Sequence, residues 1–517
     1  MKAVSGTQMR GLDRRTIEEK GISGERLMHI AGLRACAGIL NWLKAVNAAP
    51  DFLILAGKGN NGGDAFVVAG QLADAGYNVS LHCTVSESEL SGDALTMFQR
   101  MPASIRENIS YELTPKDLSR SNLIIVDGLL GTGFHGALRE PYRSWCRLVN
   151  ASGKAVAALD IPSGLDADSG EADPDAVIAD FTFTMAAPKT GMFSPEGIRH
   201  TGRLQVLDIG IPQEFIDELP DTVEYTGPDD IRPFFGKEAF DCHKYTRGHL
   251  FVIGGCKFYP GAPLLAAEAG LRTGAGLVTC CIPEHAEIHS AIPKALIVRR
   301  LTSNSGWFTG ESAAELIPML EKAGSLVIGP GMGTAPECRG FLKNLLAVNI
   351  PLILDADALN LIAADPELLD MVPQRQSPTV LTPHAGEMKR LQTALNLNPA
   401  ELSRQDAALK IAEKLNAVVV AKGARTLVAA PDGRITVNLS GSPALATAGT
   451  GDILAGMTGA MLLKRELNVF DAVRTAVFLH GQTAEITAPL DPRGYVADDF
   501  LPMIGKVIRS YSSSSME

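Results

Sequence analysis

The chain of 517 residues lacks any apolar run long enough to cross a lipid bilayer, and its first ten residues, MKAVSGTQMR, contain no apolar signal segment. It also lacks paired cysteines: the eight cysteines show neither a CxxC pair nor metal-ligand spacing with histidines. These absences argue against a membrane protein and against a disulfide framework. They predict a soluble, cytoplasmic protein with reduced thiols.

Positive charge is also scarce, since 47 lysines and arginines stand against 58 acidic residues and leave a net charge of −11. This balance predicts that neither nucleic acid nor an anionic membrane is the main partner. Local basic pockets for phosphate groups remain compatible with it.

The sequence is rich in short β-branched runs that alternate with amphipathic stretches. That rhythm is typical of doubly wound α/β sheets with parallel strands. In the first half it predicts strands at 52–56, 79–83, 123–126, 156–159 and 181–185, and helices at 66–75 and 142–151. In the second half it predicts strands at 250–253, 277–282, 326–328, 352–354, 380–382 and 418–421.

A segment rich in proline and aspartate, residues 217–236, separates the two halves. We place a domain boundary near residue 225, which divides the chain into domains 1–225 and 226–517. The polar tail, SYSSSSME at 510–517, is expected to be disordered.

Glycine-rich turns follow three predicted strands of the first half, where ligands of open parallel sheets bind. They read GKGNNGGDA at 57–65, DGLLGTGFHGA at 127–137 and DIPSGLDA at 160–167. Glycine lets a phosphate approach the backbone closely, and each turn adds an acid or an amide. The chain has no GxxxxGK[ST] motif, and GKGNNG does not fit the dinucleotide GxGxxG pattern.

These turns, together with APKTGMFSPEG at 187–197, resemble the NAD(P)H-hydrate epimerase family over residues 1 to about 215. The resemblance implies a Rossmann-like three-layer domain that interconverts the R and S epimers of hydrated NADH and NADPH, called NADHX and NADPHX. It implies that Asp160 is the acid/base at the hydroxyl-bearing carbon, with Lys189 as a candidate partner charge. It also implies a potassium site formed by Asn61, Asp127 and Ser163. The substrate-binding residues it implies are Asn60, Asn61, Gly62, Gly63, Asp64, Gly131, Thr132, Gly133, Phe134, His135, Gly136, Ala137 and Asp160.

Two departures from that family's pattern concern local contacts or a subunit interface. Ala65 stands where glycine is usual, and LMHIAG replaces LMENAG, which puts His29 and Ile30 off pattern. The implied acid/base and cation residues are intact, so we expect the domain to be active.

The second half contains ATAGTGDILA at 446–455, in which Gly449, Thr450 and Gly451 lead into Asp452 and a helical pattern. Amides at a helix N-terminus bind phosphate, and an acid there can take the proton of an attacking hydroxyl. Ribokinase-like small-molecule kinases have this arrangement. Taken as four residues alone, the segment is equally compatible with an ordinary aspartate-capped helix.

Further ordered segments resemble the NAD(P)H-hydrate dehydratase family, whose fold is ribokinase-like, over about residues 240–505. They are HLFVIGG, YPGAPLLAAEAGLRTGAGLVT, GPGMG at 329–333, DADALN at 355–360, LTPHAGEMKRL at 381–391, KGARTLV at 422–428 and AGTGD. The resemblance implies that the S hydrate is phosphorylated by ADP with Mg²⁺ and then loses phosphate, which leaves NAD(P)H, AMP and phosphate. We expect ADP rather than ATP because bacterial members generally use it.

The same resemblance implies that Asp452 is the base and that Ala262, Gly333 and His384 contact the hydrate. The nucleotide-binding residues it implies are Lys422, Gly423, Ala424, Arg425, Thr426, Gly449, Thr450 and Gly451. Asp355 and Asp357 follow a predicted strand, where they can organise Mg²⁺ through water. The alternative for this pair is a turn-forming role, with Asp355 capping the next helix.

Together the halves predict a nicotinamide nucleotide repair enzyme that forms homo-oligomers and acts on small molecules. The alternative is a ribokinase-like metabolite kinase, for example of a vitamin precursor, with a non-catalytic N-terminal binding domain. Related domains serve as interaction modules in mRNA-decapping scaffolds. Retention of Asn61, Asp127 and Asp160 argues against that role, since a scaffold has no use for the set.

Overall fold

The structure is a computed structural model that describes residues 1–46, 49–220, 222–288, 291–489 and 491–512. The chain divides into two compact units, Met1–Glu224 and Tyr225–Glu517. Within the described ranges, every helix is too short or too polar to span a membrane. All eight cysteines are free thiols, as expected, and seven of them are buried.

The first unit is built on a six-stranded sheet with the order β2-β1-β3-β4-β5-β6, in which every pairing is parallel. Its strands are β1 (Asp51–Ala56), β2 (Val79–Cys83), β3 (Leu123–Gly128), β4 (Ala155–Leu159), β5 (Phe181–Met185) and β6 (Arg203–Leu207). Its helices are α1 (Gly6–Lys20), α2 (Gly24–Val46), α3 (Asn60–Asp74), α4 (Gly92–Arg100), α5 (Ala103–Arg106), α6 (Tyr142–Ala151), α7 (Pro195–Thr201) and α8 (Gln213–Asp217).

Both faces of this sheet are covered by helices. Phe52 and Ile54 of β1 join the core that contains side chains of α2 and α3, whereas Leu53 and Leu55 join the core that contains side chains of α6. Because successive side chains of a strand point to opposite faces, the two cores lie on opposite sides of the sheet. The expected three-layer α/β architecture is therefore confirmed.

The second unit contains a ten-stranded sheet with the order β10-β9-β8-β11-β12-β13-β14-β15-β16-β7. Its strands are β7 (Tyr225–Thr226), β8 (His249–Ile253), β9 (Leu277–Pro283), β10 (Ile297–Leu301), β11 (Ser325–Ile328), β12 (Leu352–Leu354), β13 (Thr379–Leu381), β14 (Val418–Ala421), β15 (Leu427–Ala429) and β16 (Ile435–Asn438). Its helices are α9 (Pro228–Ile231), α10 (Ala262–Thr273), α11 (Gly310–Leu316), α12 (Pro336–Leu346), α13 (Asp357–Ala364), α14 (Pro366–Met371), α15 (Ala385–Ala394), α16 (Arg404–Leu415), α17 (Thr450–Met461), α18 (Val469–Thr487) and α19 (Ala497–Ser512).

The strands from β10 to β14 pair in parallel, as predicted, but β15 runs antiparallel to both of its neighbours. The prediction also missed the edge strands β6 and β10. Both expose polar side chains, and in β10 only the last of five residues is fully buried. An edge strand of this kind has no continuous apolar run by which a sequence search recognises it.

The expectation of a disordered tail is wrong for its first three residues. Residues 510–512 belong to α19, and Tyr511 is buried next to Phe235 and Phe478. The remaining residues, 513–517, lie outside the described part of the chain.

Helices α10 and α17 pack closely because α17 has a glycine at the contact. A Cβ atom at Gly456 would lie 1.9 Å from the carbonyl oxygen of Ala266, so no larger residue fits without separating the helices. The first turn of α17 carries Asp452. This contact therefore positions the predicted base as well as the core.

We expect Gly456→Ala to lower the melting temperature and the urea midpoint of the second unit, with a cost of about 1–3 kcal/mol typical of overpacking. Gly340→Ala is the matched control, because Gly340 lies on the exposed face of α12 and a Cβ there would meet nothing within 4 Å. The control should be stabilised by about 0.5–1 kcal/mol. Equal effects of the two substitutions would show that the helix contact is not tight.

Candidate active sites

Two glycines bring the loop after β1 against the loop after β3. A Cβ at Gly57 would lie 1.9 Å from the carbonyl oxygen of Leu129, and one at Gly62 would lie 1.8 Å from the carbonyl oxygen of Gly57. Only glycine permits backbones to approach so closely. The consequence is that Asn61, at the start of α3, lies beside the residues that follow β3.

The three residues expected at the potassium site are brought together through the backbone of one residue, Leu130. The Asn61 amide donates to the carbonyl of Leu130 at 2.8 Å, and the amide of Leu130 donates to the Ser163 hydroxyl at 2.9 Å. Ser163 in turn donates from its hydroxyl to the Asp127 carboxylate at 2.6 Å and from its backbone at 2.8 Å. All three predicted residues are buried.

One oxygen of this group, Asn61 Oδ1, is buried and has no hydrogen-bond donor among the described residues. Burial raises the pKa of Asp127, and the hydrogen bonds from Ser163 and Leu129 oppose that shift only in part. An unpartnered amide oxygen beside a buried carboxylate fits a hard cation, which would supply the missing positive charge.

Asp160 and Lys189 form an ion pair at the ends of β4 and β5. Lys189 is fully buried and also donates to the Thr184 hydroxyl at 3.0 Å and to the Met185 carbonyl at 3.1 Å. The Met185 amide donates to the Asp160 carboxylate at 3.0 Å. Asp160 has a left-handed backbone with φ of +60°, a strained conformation that such surrounding bonds can maintain.

Sequence reasoning missed Asp13, a half-buried carboxyl on α1 that interacts electrostatically with Lys189 and Asp160. Burial raises the pKa of Asp13 to about 6, against the lowering effect of Lys189. Burial also raises the pKa of Asp64 well above its ordinary value, and the charges of Asp160 and Asp13 add to this. The site therefore holds carboxyl groups of unequal acidity around one lysine.

The chain before α1 pairs with the loop that carries Lys189. Val4 donates its backbone amide to the carbonyl of Pro188 at 2.9 Å, and its carbonyl accepts from Thr190 at 3.0 Å. No local pattern links residue 13 to this site, because the contact joins segments almost 180 positions apart.

The predicted substrate loop after β3, residues 131–137, is irregular and largely exposed, as a binding loop should be. Its His135 bonds to Asp166 at 2.6 Å. At the off-pattern position 65, the Ala65 methyl is accommodated by Gly128 of β3, where a Cβ atom would lie only 2.6 Å away. Ile30 packs against the core of the same unit.

In the second unit, the predicted GTGD segment forms the N-terminus of α17. Gly449 is the N-cap with φ of +91°, and Asp452 lies in the first turn. The Thr450 hydroxyl donates back to the carbonyls of Leu445 and Thr447 at 2.9 and 3.0 Å, so that side chain stabilises the turn. Amides of a first helical turn have no acceptor within the helix and can bind an anion.

Lys422 lies among carboxyl groups next to this helix. Its ammonium donates to Asp355 at 2.8 Å and would be 3.4 Å from a Cβ placed on Gly451. Burial alone would lower the pKa of Lys422, but Asp355, Glu387 and Asp452 together raise it, so the lysine is charged. Burial raises the pKa of Asp452 to about 7, with Asp355 adding to the shift and Lys422 opposing it.

Glu387 is a second functional residue that sequence reasoning missed. It accepts from the backbone of His384 at 2.8 Å and lies 3.2 Å from the ring Nε2 of the same histidine. The Gly386 amide donates to His384 Nδ1 at 2.9 Å, which places the ring proton on Nε2. Burial raises the pKa of Glu387 to about 7. The ring of His384, the predicted hydrate contact, is thus held in one orientation by Gly386 at Nδ1 and by Glu387 at Nε2.

The alternative role for Asp355, as the cap of the next helix, is wrong. The N-cap of α13 is Ala356 and has no side-chain cap. The Asp355 carboxylate instead accepts from Lys422 and, at 2.8 Å, from the Thr382 hydroxyl. Asp357 accepts from the backbone of the predicted hydrate contact Gly333 at 2.8 Å.

The predicted nucleotide loop, residues 422–426, is shaped by an arginine outside it. Arg404 of α16 donates to the carbonyls of Ala421 and Ala424 at 2.7 and 2.8 Å. Arg425 points into the protein, where its guanidinium donates to the Leu439 carbonyl. The Arg425 side chain is therefore bonded within the protein, whereas Lys422 places its charge near α17.

Comparison with known proteins agrees with the division of the chain into two units. Residues 250–502 match the family described as NAD(P)H-hydrate dehydratase, and residues 24–191 match the family described as YjeF-related protein N-terminus. A bifunctional NAD(P)H-hydrate repair enzyme of Salinibacter ruber is 37% identical over 96% of this chain and 94% of the relative. One from Coxiella burnetii is 35% identical over 96% of this chain and 97% of the relative.

Among solved structures, an ADP/ATP-dependent NAD(P)H-hydrate dehydratase from Bacillus subtilis, co-crystallised with ATP/Mg²⁺, is 29% identical, with a TM-score of 0.47 over 56% of this chain and 99% of that one. The fold and sites define an α/β enzyme that combines an epimerase-type unit with a dehydratase-type unit. The chain belongs to the family of bifunctional NAD(P)H-hydrate repair enzymes.

The raised pKa of Asp452 predicts a pH-dependent stability effect of Asp452→Asn. The folded state keeps this carboxyl protonated up to about pH 7, whereas its ordinary pKa is 3.8, so the folded protein loses stability as pH rises between these values. The asparagine variant does not lose this stability, because its side chain does not titrate. It should match the native chain near pH 4 and be more stable by about 4 kcal/mol above pH 7.

Urea unfolding of both proteins at several pH values measures this difference, with Asp370→Asn at an exposed position as the control. A gap that is constant across the pH range would contradict the assigned titration.

Proposed function

We propose that this chain repairs hydrated nicotinamide nucleotides: residues 1–225 epimerise R and S NAD(P)HX, and residues 226–517 dehydrate the S form. The observation that carries this proposal is the placement of Asp452 in the first turn of α17 beside the charged Lys422. Such a pair can accept a hydroxyl proton and neutralise a phosphate in one step. The epimerase-type site of the other unit supplies the epimer that this site needs.

In the epimerase unit, Asp160 acts at the hydroxyl of the hydrated ring. It takes the hydroxyl proton while the ring C–N bond breaks, a carbonyl forms at the carbon, and the nitrogen receives a proton. Closure on the other face reverses these transfers and gives the other epimer. Asp13 and Asp64, whose raised pKa values favour the protonated form, are suited to supply the proton. Loss and return of the hydroxyl is the other route that this set of acids allows.

Potassium is the cation that we assign to Asn61, Asp127 and Ser163. The unpartnered oxygen of Asn61 and the buried carboxylate of Asp127 support this assignment. Bound there, the ion would supply positive charge next to the loops that hold the substrate phosphates. The backbone amides that bind the substrate phosphates belong to residues 60–64 and 131–137.

In the dehydratase unit, Asp452 takes the proton of the hydrate hydroxyl, and the oxygen attacks the terminal phosphorus of ADP. AMP leaves, and the amides of Gly449 and Gly451 stabilise charge on the transferred phosphoryl group. Phosphate then leaves the ring carbon while the adjacent carbon loses a proton, which restores the double bond. Ala262, Gly333 and His384 hold the hydrate, and residues 422–426 hold the AMP moiety.

Magnesium would accompany the nucleotide and bind through water. Asp357 has one oxygen whose sole donor among the described residues is the Asn360 amide, at 3.4 Å, so it retains room to accept a metal-bound water. Mg²⁺ in nucleotide sites commonly keeps several waters and uses one or two carboxylates. Asp355 is committed to Lys422 and Thr382, which leaves it a supporting role.

The roles of Asp160 and Asp452 should be distinguishable in one assay that follows NADH at 340 nm in an R/S mixture of NADHX with ADP and Mg²⁺. The native chain should convert the whole mixture. Asp160→Asn should stop at the S fraction, because the R form is no longer converted. Asp452→Asn should form NADH about 10²–10⁴-fold more slowly, yet still equilibrate the epimers.

Asp74→Asn, at the exposed end of α3, serves as the control and should behave as the native chain. Accumulation of a phosphorylated metabolite without NADH would instead indicate a metabolite kinase. Replacing ADP by ATP in the same assay tests the nucleotide preference.

Potassium binding should raise the melting temperature of the first unit when K⁺ replaces an organic cation. At tenfold excess over its dissociation constant the ion would stabilise the fold by about 1 kcal/mol. Asn61→Ala removes the unpartnered oxygen and should abolish the increment, whereas Asn344→Ala on exposed α12 should retain it. An increment that survives in Asn61→Ala would place the cation elsewhere.

A further inference from the structure

The second unit exposes a cluster of aromatic residues and one lysine at the carboxyl edge of its sheet. We call Lys257, Phe258, Tyr259 and Trp307 the aromatic rim. Phe258 and Tyr259 are 64% and 61% exposed, which is unusual for large apolar side chains. None of the roles assigned above uses these residues.

Hydrogen bonds join the two loops that carry the aromatic rim and hold them in a defined conformation. Lys257 donates its backbone amide to Gly306 at 3.2 Å, which joins the loop after β8 to the loop after β10. The Ser303 hydroxyl donates to the carbonyl of Trp307 at 2.6 Å and accepts from the amide of Gly306 at 3.0 Å. The rings of Phe258 and Trp307 lie 5.7 Å apart.

Lys257 adds a positive charge to these rings. Its ammonium lies 5.1 Å from the centre of the Phe258 ring and 5.6 Å from that of Trp307. It forms no salt bridge with any residue in the described part of the chain. A ligand that combines a flat ring with a negative charge would satisfy both features.

The rim adjoins the residues assigned to the hydrate. A Cβ at Gly333 would lie 2.0 Å from the Trp307 ring, so that ring rests directly on this glycine. At Gly331, a Cβ would lie 2.6 Å from the carbonyl oxygen of Tyr259 and 3.2 Å from Ala262. The rim thus lies directly against the hydrate contact Gly333 and, through Gly331, next to the hydrate contact Ala262.

We propose that the aromatic rim binds the adenosine half of the hydrated dinucleotide, with the adenine stacked on Phe258, beside the Trp307 ring that is inclined at 64° to it, and a phosphate of the same molecule near Lys257. This inference rests on the dehydratase function proposed above. The hydrated ring must lie at Asp452, which takes its proton, so the adenosine end is the part free to reach the rim. Base stacking on exposed aromatic rings is a general mode of nucleotide binding.

The test compares two substrates of the full-length chain: S-NADHX and the S hydrate of reduced nicotinamide mononucleotide, which lacks adenosine. Phe258→Ala should raise KM for S-NADHX about tenfold without changing kcat. It should leave KM for the mononucleotide hydrate unchanged. Phe258→Tyr keeps a flat ring and should restore the native KM.

The matched control is Tyr245→Ala. Tyr245 is 66% exposed and lies 5.1 Å from the ammonium of Lys244, but it precedes β8 and therefore belongs to the opposite edge of the sheet. It should leave both KM values unchanged. Calorimetric titration with NADPH, the stable product, provides a readout that does not depend on turnover: Phe258→Ala should weaken binding about tenfold and Tyr245→Ala should not.

An unchanged KM for S-NADHX in Phe258→Ala would overturn the proposal, and so would an equal rise for both substrates. If the native chain forms no NADH from NADHX, the dehydratase assignment fails. Binding of NADPH that is equal in the native chain and in Phe258→Ala overturns the rim proposal by itself.

Discussion

In each unit one lysine, fully buried in the first and largely buried in the second, faces several carboxyl groups, and the geometry of both sites depends on that charge balance. Lys189 pairs with Asp160, and Lys422 pairs with Asp355. A buried ammonium is stable only when its charge is compensated and its protons are bonded. Each lysine therefore fixes the loops that carry its partners, and those loops are the ones assigned to substrate and nucleotide.

Burial also shifts the acidity of carboxyl groups in both sites. It raises the pKa values of Asp64 and Asp452, and a lysine opposes the rise at each position. Groups of different acidity side by side are what proton transfer at neutral pH requires. Stability is lost at these positions, as is usual where function needs buried charge.

Much of the site was predictable because it follows strands that are easy to recognise. The apolar runs that become β1, β3 and β4 end where glycine-rich turns begin, and parallel strands bring those turns to one edge. Asn61, Asp127 and Ser163 lie in or beside those turns, were expected together from the family resemblance, and are joined through Leu130. Asp13 was not, since it lies on α1, which only packing brings to the site. Glu387 was not either, because in the segment that follows β13 only His384 was assigned a role.

The sequence by itself determined the α/β class, the free thiols, the order of most strands and the identity of the glycines at close backbone contacts, because these follow from local periodicity and from the absence of a Cβ atom. Only the tertiary structure decided which carboxyls surround each lysine, that β15 runs antiparallel, and that Trp307 rests on Gly333. These features join segments far apart in the chain. Pair contacts, burial and electrostatic coupling between such segments have no periodicity that a sequence can display.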